Sequence, residues 1–127
     1  MKLTVRPDRN KASSLRRMAK VTLERLDDTQ IFKYPGNTLI DYYNIIHLLM
    51  EAEAIEEGVK FKGEGAHVEL IDHVAQKNFP NYRIFLQGMR EYRNKVSYEG
   101  FNVKESWIRN NDRKIRDIIV KLEKKDC

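Results

Sequence analysis

Arg90, Arg93, Asn94 and Ser97 fall within the short segment Arg90-Glu91-Tyr92-Arg93-Asn94-Lys95-Val96-Ser97-Tyr98-Glu99-Gly100. Two guanidiniums that never lose their charge, an amide and a hydroxyl are the groups that a phosphodiester needs around its oxygens. Wound into a helix at about 100° per residue, the four follow one another along a single flank. Beside that flank Phe85, Met89, Tyr92 and Val96 share an apolar face, so the polar ledge borders the core. Gly100 is the expected helix stop, which leaves Tyr98 and Glu99 in the final turn, where a side chain can rotate back toward the ledge. A phenol of ordinary pKa, about 10, is a poor base at neutral pH but can donate a proton or hydrogen-bond a phosphate oxygen.

This segment resembles the signature helix of the HEPN superfamily, small all-helical proteins in which an Arg, commonly followed by Asn or another polar residue, precedes a His by a few positions. Arg93-Asn94 matches the first half of that pattern, and Tyr98 stands where the family's ribonucleases carry His. A second stretch, Gly63-Glu64-Gly65-Ala66-His67, is similar to a loop found in HEPN-like proteins whose helix ends Arg-Asn-x-x-x-Tyr-Glu-Gly. The likeness runs over roughly residues 12 to 123. It implies a five-helix, mostly antiparallel all-α bundle. It also implies a homodimer whose signature helices approach across a two-fold axis, bringing both copies of Arg90 and Arg93 into one RNA-binding cleft with Asn94 and Ser97.

In such a cleft the family's His acts as acid or base while Arg stabilises charge on the phosphate, with no metal or other cofactor. With Tyr98 in its place, the implied activity is that of a weak or degenerate ribonuclease that binds what its relatives cleave. Catalysis would then fall to Tyr98 assisted by Arg93, or to His67 supplied from the glycine-rich stretch. The alternative from another class is a non-catalytic helical interaction module, with a protein partner such as a nucleotidyltransferase in a toxin-antitoxin type system.

Composition bounds these readings. A chain of 127 residues with 41% apolar content forms one domain with a core of its own, needing neither disulfide nor metal. The one cysteine, Cys127, cannot close an internal disulfide, and neither a basic-then-apolar leader nor an apolar run of about 18 residues is present, so a cytoplasmic protein is expected. Net charge is +5, unevenly spread. Residues 1 to 25 carry eight Lys/Arg against two acids, residues 26 to 57 one against seven, and residues 80 to 127 twelve against seven. Charge compensation between the first two helices is the expected outcome, and the basic surplus lies with the signature helix and the last helix.

The elements that must position the ledge follow from the apolar spacing. Residues 1–12 read as an extended arm outside any sheet, broken by Pro7. Ser13 or Ser14 can cap a first helix with a stripe of Leu15, Met18, Ala19, Leu23 and Leu26, leaving Arg16, Arg17, Lys20 and Arg25 on other faces. From Leu39 to Ile55 the chain is apolar on most sides, the mark of a helix at the centre of a bundle or shared with a second subunit; His47 inside it reads as a satisfied core or interface histidine.

Gly58 ends that helix, and the segment to Gly65 lacks the Lys-Ser/Thr ending and preceding strand of a phosphate-binding loop. A third helix carries His67 and His73, six residues apart and facing different ways, so Glu64, His67, Asp72 and His73 are a poor metal set. Asn102 can cap a last helix with Ile108, Ile115, Ile118, Ile119 and Leu122 inward, and Trp107 is expected to pack.

Overall fold

The computed structural model describes residues 1–124, so Cys127 lies outside the described residues. Its architecture is all-α: helices α1 (Arg9–Asp27), α2 (Pro35–Glu57), α3 (Ala66–Asn78), α4 (Arg83–Glu99) and α5 (Glu105–Glu123) form the bundle. A short antiparallel ribbon of β1 (Lys2–Thr4) and β2 (Val59–Phe61) closes one end, and a 3-10 turn at Pro80–Tyr82 leads into α4.

Helix α2 is the axis. Pro35 occupies its first turn, where a missing N–H costs nothing and the fixed φ suits the helix. Leu39, Tyr42, Ile46 and Met50 are wholly buried, and α1, α3, α4 and α5 all pack against α2. One chain therefore covers the apolar circumference of this helix. Of the two places open to so apolar a helix, the centre of a bundle is the one it occupies within this chain.

The N-terminal segment departs from the extended arm expected outside any sheet. Gly58 ends α2 in the left-handed conformation, with φ 82°. A Cβ at that position would stand 2.6 Å from the Val5 carbonyl oxygen, so both conformation and close approach demand glycine. The turn presents Val59–Phe61 as an edge, and Lys2, Leu3 and Thr4 pair with Phe61, Lys60 and Val59. Val5 N–H to Gly58 O (2.8 Å) and Asp8 N–H to Ile55 O (3.1 Å) extend the seam. The alternation of Leu3 and Val5 was a genuine strand signal whose partner lies far along the chain.

Asp8, and neither Ser13 nor Ser14, caps α1: its carboxylate accepts the Lys11 N–H at 2.9 Å. The helix thus starts earlier, and its inward face changes. Met18 is exposed, whereas Arg16 is buried and ion-paired to Glu56 of α2. Arg25 approaches Asp41 at 3.6 Å, so the opposite charge surpluses of α1 and α2 do compensate in part within the chain.

At the other end a polar clasp joins three helices. Tyr42 donates its hydroxyl hydrogen to Asp112 and accepts from Arg116 Nε at 2.9 Å, while Arg116 also holds Asp27 at 2.7 Å. Helix α5 begins at Glu105 after Lys104 with no side-chain cap, in place of the cap expected at Asn102. Trp107 packs edge-on to Tyr92 (5.1 Å between centroids) and parallel to Phe85 (6.3 Å), which fixes α5 to α4 and occupies the indole in packing.

Because its ring is buried and its hydroxyl serves two charged groups, Tyr42→Phe is expected to lower stability by about 1–3 kcal/mol in urea unfolding. Tyr34→Phe, at an exposed ring, should leave the midpoint unchanged.

Candidate functional site

Tyr43, His47 and Glu51 recur every four residues and so form one polar row on α2. The row meets the first turn of α3. Gly65, at φ 80°, turns the chain so that α3 starts at Ala66 and His67 arrives opposite the row. His67 stacks on His47 with ring centroids 4.3 Å apart and planes inclined by 26°. Its Nδ1 lies 3.3 Å from the Tyr43 hydroxyl oxygen. His47 Nε2 contacts Glu51 Oε1 at 2.5 Å, and His47 Nδ1 is buried with no hydrogen-bond partner among the described residues.

Helix α4 lays its basic flank against the other end of the row. The Arg93 guanidinium stands 5.5 Å from the centre of the Tyr43 ring, its Nη1 donates to Asn94 Oδ1 at 3.3 Å, and its Nε is buried with no hydrogen-bond partner among the described residues. Arg90 is positioned by Gln87, which accepts from its Nε at 3.1 Å and itself donates to the Val68 carbonyl and to Asp72. Met89 and Leu86 are buried beneath the same helix, with Phe85, Tyr92 and Val96 against the core, as the apolar spacing predicts.

These groups act on one another's protons. Burial pushes the Tyr43 phenol up to about 12, against the pull of Arg90 and Arg93, so it stays protonated. The rings around His67 remove part of its water and lower its pKa; His47 and the charges of Arg93 and Arg90 lower it further, while Glu51 opposes them. The hydrogen bond from His47 holds Glu51 below the usual carboxylate value, opposed by desolvation.

His67 is thus a neutral, solvent-reachable imidazole beside two permanent cations. With its proton on Nδ1, that nitrogen donates to the Tyr43 oxygen and leaves Nε2 as a base; in the other tautomer the phenol donates to Nδ1.

The expected site residues are only partly gathered. Arg90, Arg93 and Asn94 are half-buried on the flank of α4 facing Tyr43, and His67 joins them. Ser97 is exposed, and Tyr98 is 77% exposed with no hydrogen bond among the described residues, so neither is turned back toward the ledge within one chain. The residues of the metal set separate: His73 pairs with Glu57 at 3.1 Å and Asp72 with Arg83 at 3.1 Å. Among the described residues no three His, Cys, Asp or Glu gather in a way that could hold a metal ion.

From the sequence His47 reads as a satisfied core or interface histidine, and neither Tyr43 nor Glu51 stands out within the apolar segment. The signal present was the four-residue spacing of Tyr43, His47 and Glu51. No family model matches the chain, and no curated protein or solved structure matches it. No helix among the described residues is long and apolar enough to cross a membrane.

An NMR titration of the His67 ring checks this electrostatic arrangement. Its midpoint is expected below the ordinary value of about 6.5, to rise in Arg93→Ala, which removes a repelling cation, and to fall in Glu51→Gln, which removes an attracting anion. Linkage fixes the accompanying sign. The unfolded chain takes the proton first, so the His67 contribution is intact above about pH 6.5 and stability is lost as pH falls from there to the native midpoint. An unshifted midpoint, indifferent to both substitutions, would contradict the geometry.

Proposed function

We propose that this is a HEPN-like RNA-binding protein whose phosphate ledge is Arg90 and Arg93, and that His67 is the residue through which it performs slow, metal-independent cleavage. The supporting observation is an exposed imidazole held neutral beside two guanidiniums on an adjacent helix. Arg93 has a buried Nε with no hydrogen bond among the described residues, and its guanidinium carries a fixed charge that a phosphate would neutralise.

Cleavage in this reading runs as an internal displacement. His67 takes the proton of the ribose 2′-hydroxyl, the 2′-oxygen attacks phosphorus, and the bond from phosphorus to the 5′-oxygen breaks, with water protonating the departing oxygen. A 2′,3′-cyclic phosphate and a 5′-hydroxyl result. Arg90 and Arg93 stabilise the charge that builds on the non-bridging oxygens, and Tyr43 positions the imidazole without touching substrate. Tyr98, exposed and without a hydrogen bond among the described residues, fits a place on a second copy that brings its own Arg90 and Arg93 across a two-fold axis.

A second reading draws on exposed apolar side chains near both ends of α4: Ile84 is 78% exposed, Tyr98 77% and Phe101 54%. These favour a protein partner, of which a nucleotidyltransferase is one candidate. Salt separates the two, since RNA held by several cations is released steeply as salt rises and an apolar contact is not.

The test uses labelled single-stranded RNA in EDTA. Arg93→Ala should weaken binding by about 10-fold or more, the cost of a charge-assisted contact, whereas Lys121→Ala, at an exposed lysine already paired with Asp117, should change it by less than about 2-fold. His67→Ala should abolish cleavage with folding intact, and Tyr98→Phe should retain it. Cleavage that survives His67→Ala would sink the assignment.

A further inference from the structure

Behind His67 lies a cavity of about 150 Å³, walled by α1, α2, β2 and the start of α3. Its floor is apolar, formed by Ile55, Phe61 and Leu70 among others, while His47, His67 and Glu51 supply one polar wall. A cavity of about this size holds a single six-membered ring, as an engineered apolar cavity of that volume takes up benzene. We infer that this cavity is a base pocket for one unpaired pyrimidine, preferring cytosine, whose phosphate rests on the Arg90 and Arg93 ledge. The inference rests on the RNA-binding reading and deepens it.

Three features carry it. First, His67 belongs to both places: its ring lines the cavity, and its Nδ1 faces the Tyr43 hydroxyl, over whose ring Arg93 sits. A base inside and a phosphate on α4 therefore meet at one side chain, as the two ends of a nucleotide require. Second, the imidazoles of His47 and His67, stacked on one another, both line the cavity, so aromatic rings border the space that a splayed-out base would occupy.

The third feature is Glu51, which gives His47 one carboxylate oxygen and has the other without a hydrogen bond among the described residues. A carboxylate acceptor is the partner of the cytosine exocyclic amine. Uracil offers only its ring N–H, flanked by carbonyl oxygens that the carboxylate would repel. Adenine and guanine carry amines, but a double ring exceeds the space. Lys11 and Lys60 also line the cavity and can donate to the carbonyl and ring nitrogen of cytosine.

The experiment has two arms, both on the full chain. In the first, cytidine and uridine, which carry no phosphate, are titrated while the ring signals of His47 and His67 are followed by NMR. Cytidine should shift both rings, uridine should do so at least 10-fold more weakly, and Glu51→Gln should remove the difference. In the second arm, labelled decamers of cytidylate, uridylate and adenylate are compared by fluorescence anisotropy.

The cytidylate decamer should bind about 10-fold more tightly than the other two. Arg93→Ala should weaken all three alike, and Ala66→Leu, which narrows the cavity with Glu51 intact, should abolish the preference alone. Equal binding of the three decamers, all weakened by Arg93→Ala, overturns the base pocket and leaves the phosphate ledge standing. Cytidine shifts without binding of any decamer support the pocket and overturn the RNA reading.

Discussion

Burial of α2 on every side is the constraint from which the rest follows. A helix with Leu39, Tyr42, Ile46 and Met50 wholly buried must be surrounded, and four helices of the chain do so. Any polar side chain on such a helix has to be satisfied at the seams between its neighbours. Tyr42 meets this demand through Asp112 and Arg116, and Glu53, also buried, accepts from Asn78 at 2.8 Å. In the row of Tyr43, His47 and Glu51 the seam with α3 supplies His67 to the Tyr43 hydroxyl, and Glu51 takes His47, while His47 Nδ1 is left without a hydrogen bond among the described residues.

The candidate site is a consequence of that seam. Two imidazoles in stacking contact, a nearby carboxylate and two guanidiniums make an environment in which each group shifts its neighbours' protons in a defined direction. Burial keeps the phenol protonated, the hydrogen bond from His47 favours the carboxylate, and burial first, then the neighbouring His47 and Arg93, lower the His67 pKa. Mutual perturbation of this kind in a partly open cleft is common at working sites. Beside it lie the cavity behind His67 and an Arg93 Nε that is buried without a hydrogen bond among the described residues.

Much of this was legible in the sequence wherever the signal is local. Apolar spacing located five helices and the central role of the segment from Leu39 to Ile55, and Gly58 and Gly100 marked helix ends that adopt the left-handed conformation. The basic flank of α4 was also visible, since Arg90, Arg93 and Asn94 share it by period alone. What escaped was non-local. The partners of Leu3 and Val5, Lys60 and Gly58, lie beyond two intervening helices, so β1 read as a free arm. Asp8 lay upstream of the apolar stripe and lost to two serines as the cap. Pairing of His67 with Tyr43 and His47 depends on how α3 is set against α2, which no single helix encodes, and the outward direction of Tyr98 depends on where α4 ends relative to its neighbours.

The account turns on Arg93 and His67 belonging to one site, and a ligand that cannot be cleaved tests this most directly. A 2′-O-methyl oligonucleotide lacks the attacking hydroxyl but keeps its phosphates. Bound on the ledge, its negative charge favours the imidazolium, so the His67 pKa, depressed in the free protein, is predicted to rise as the ligand saturates. Arg93→Ala should remove most of that rise at equal occupancy. Saturating binding that leaves the His67 titration where it stands in the free protein would contradict the account.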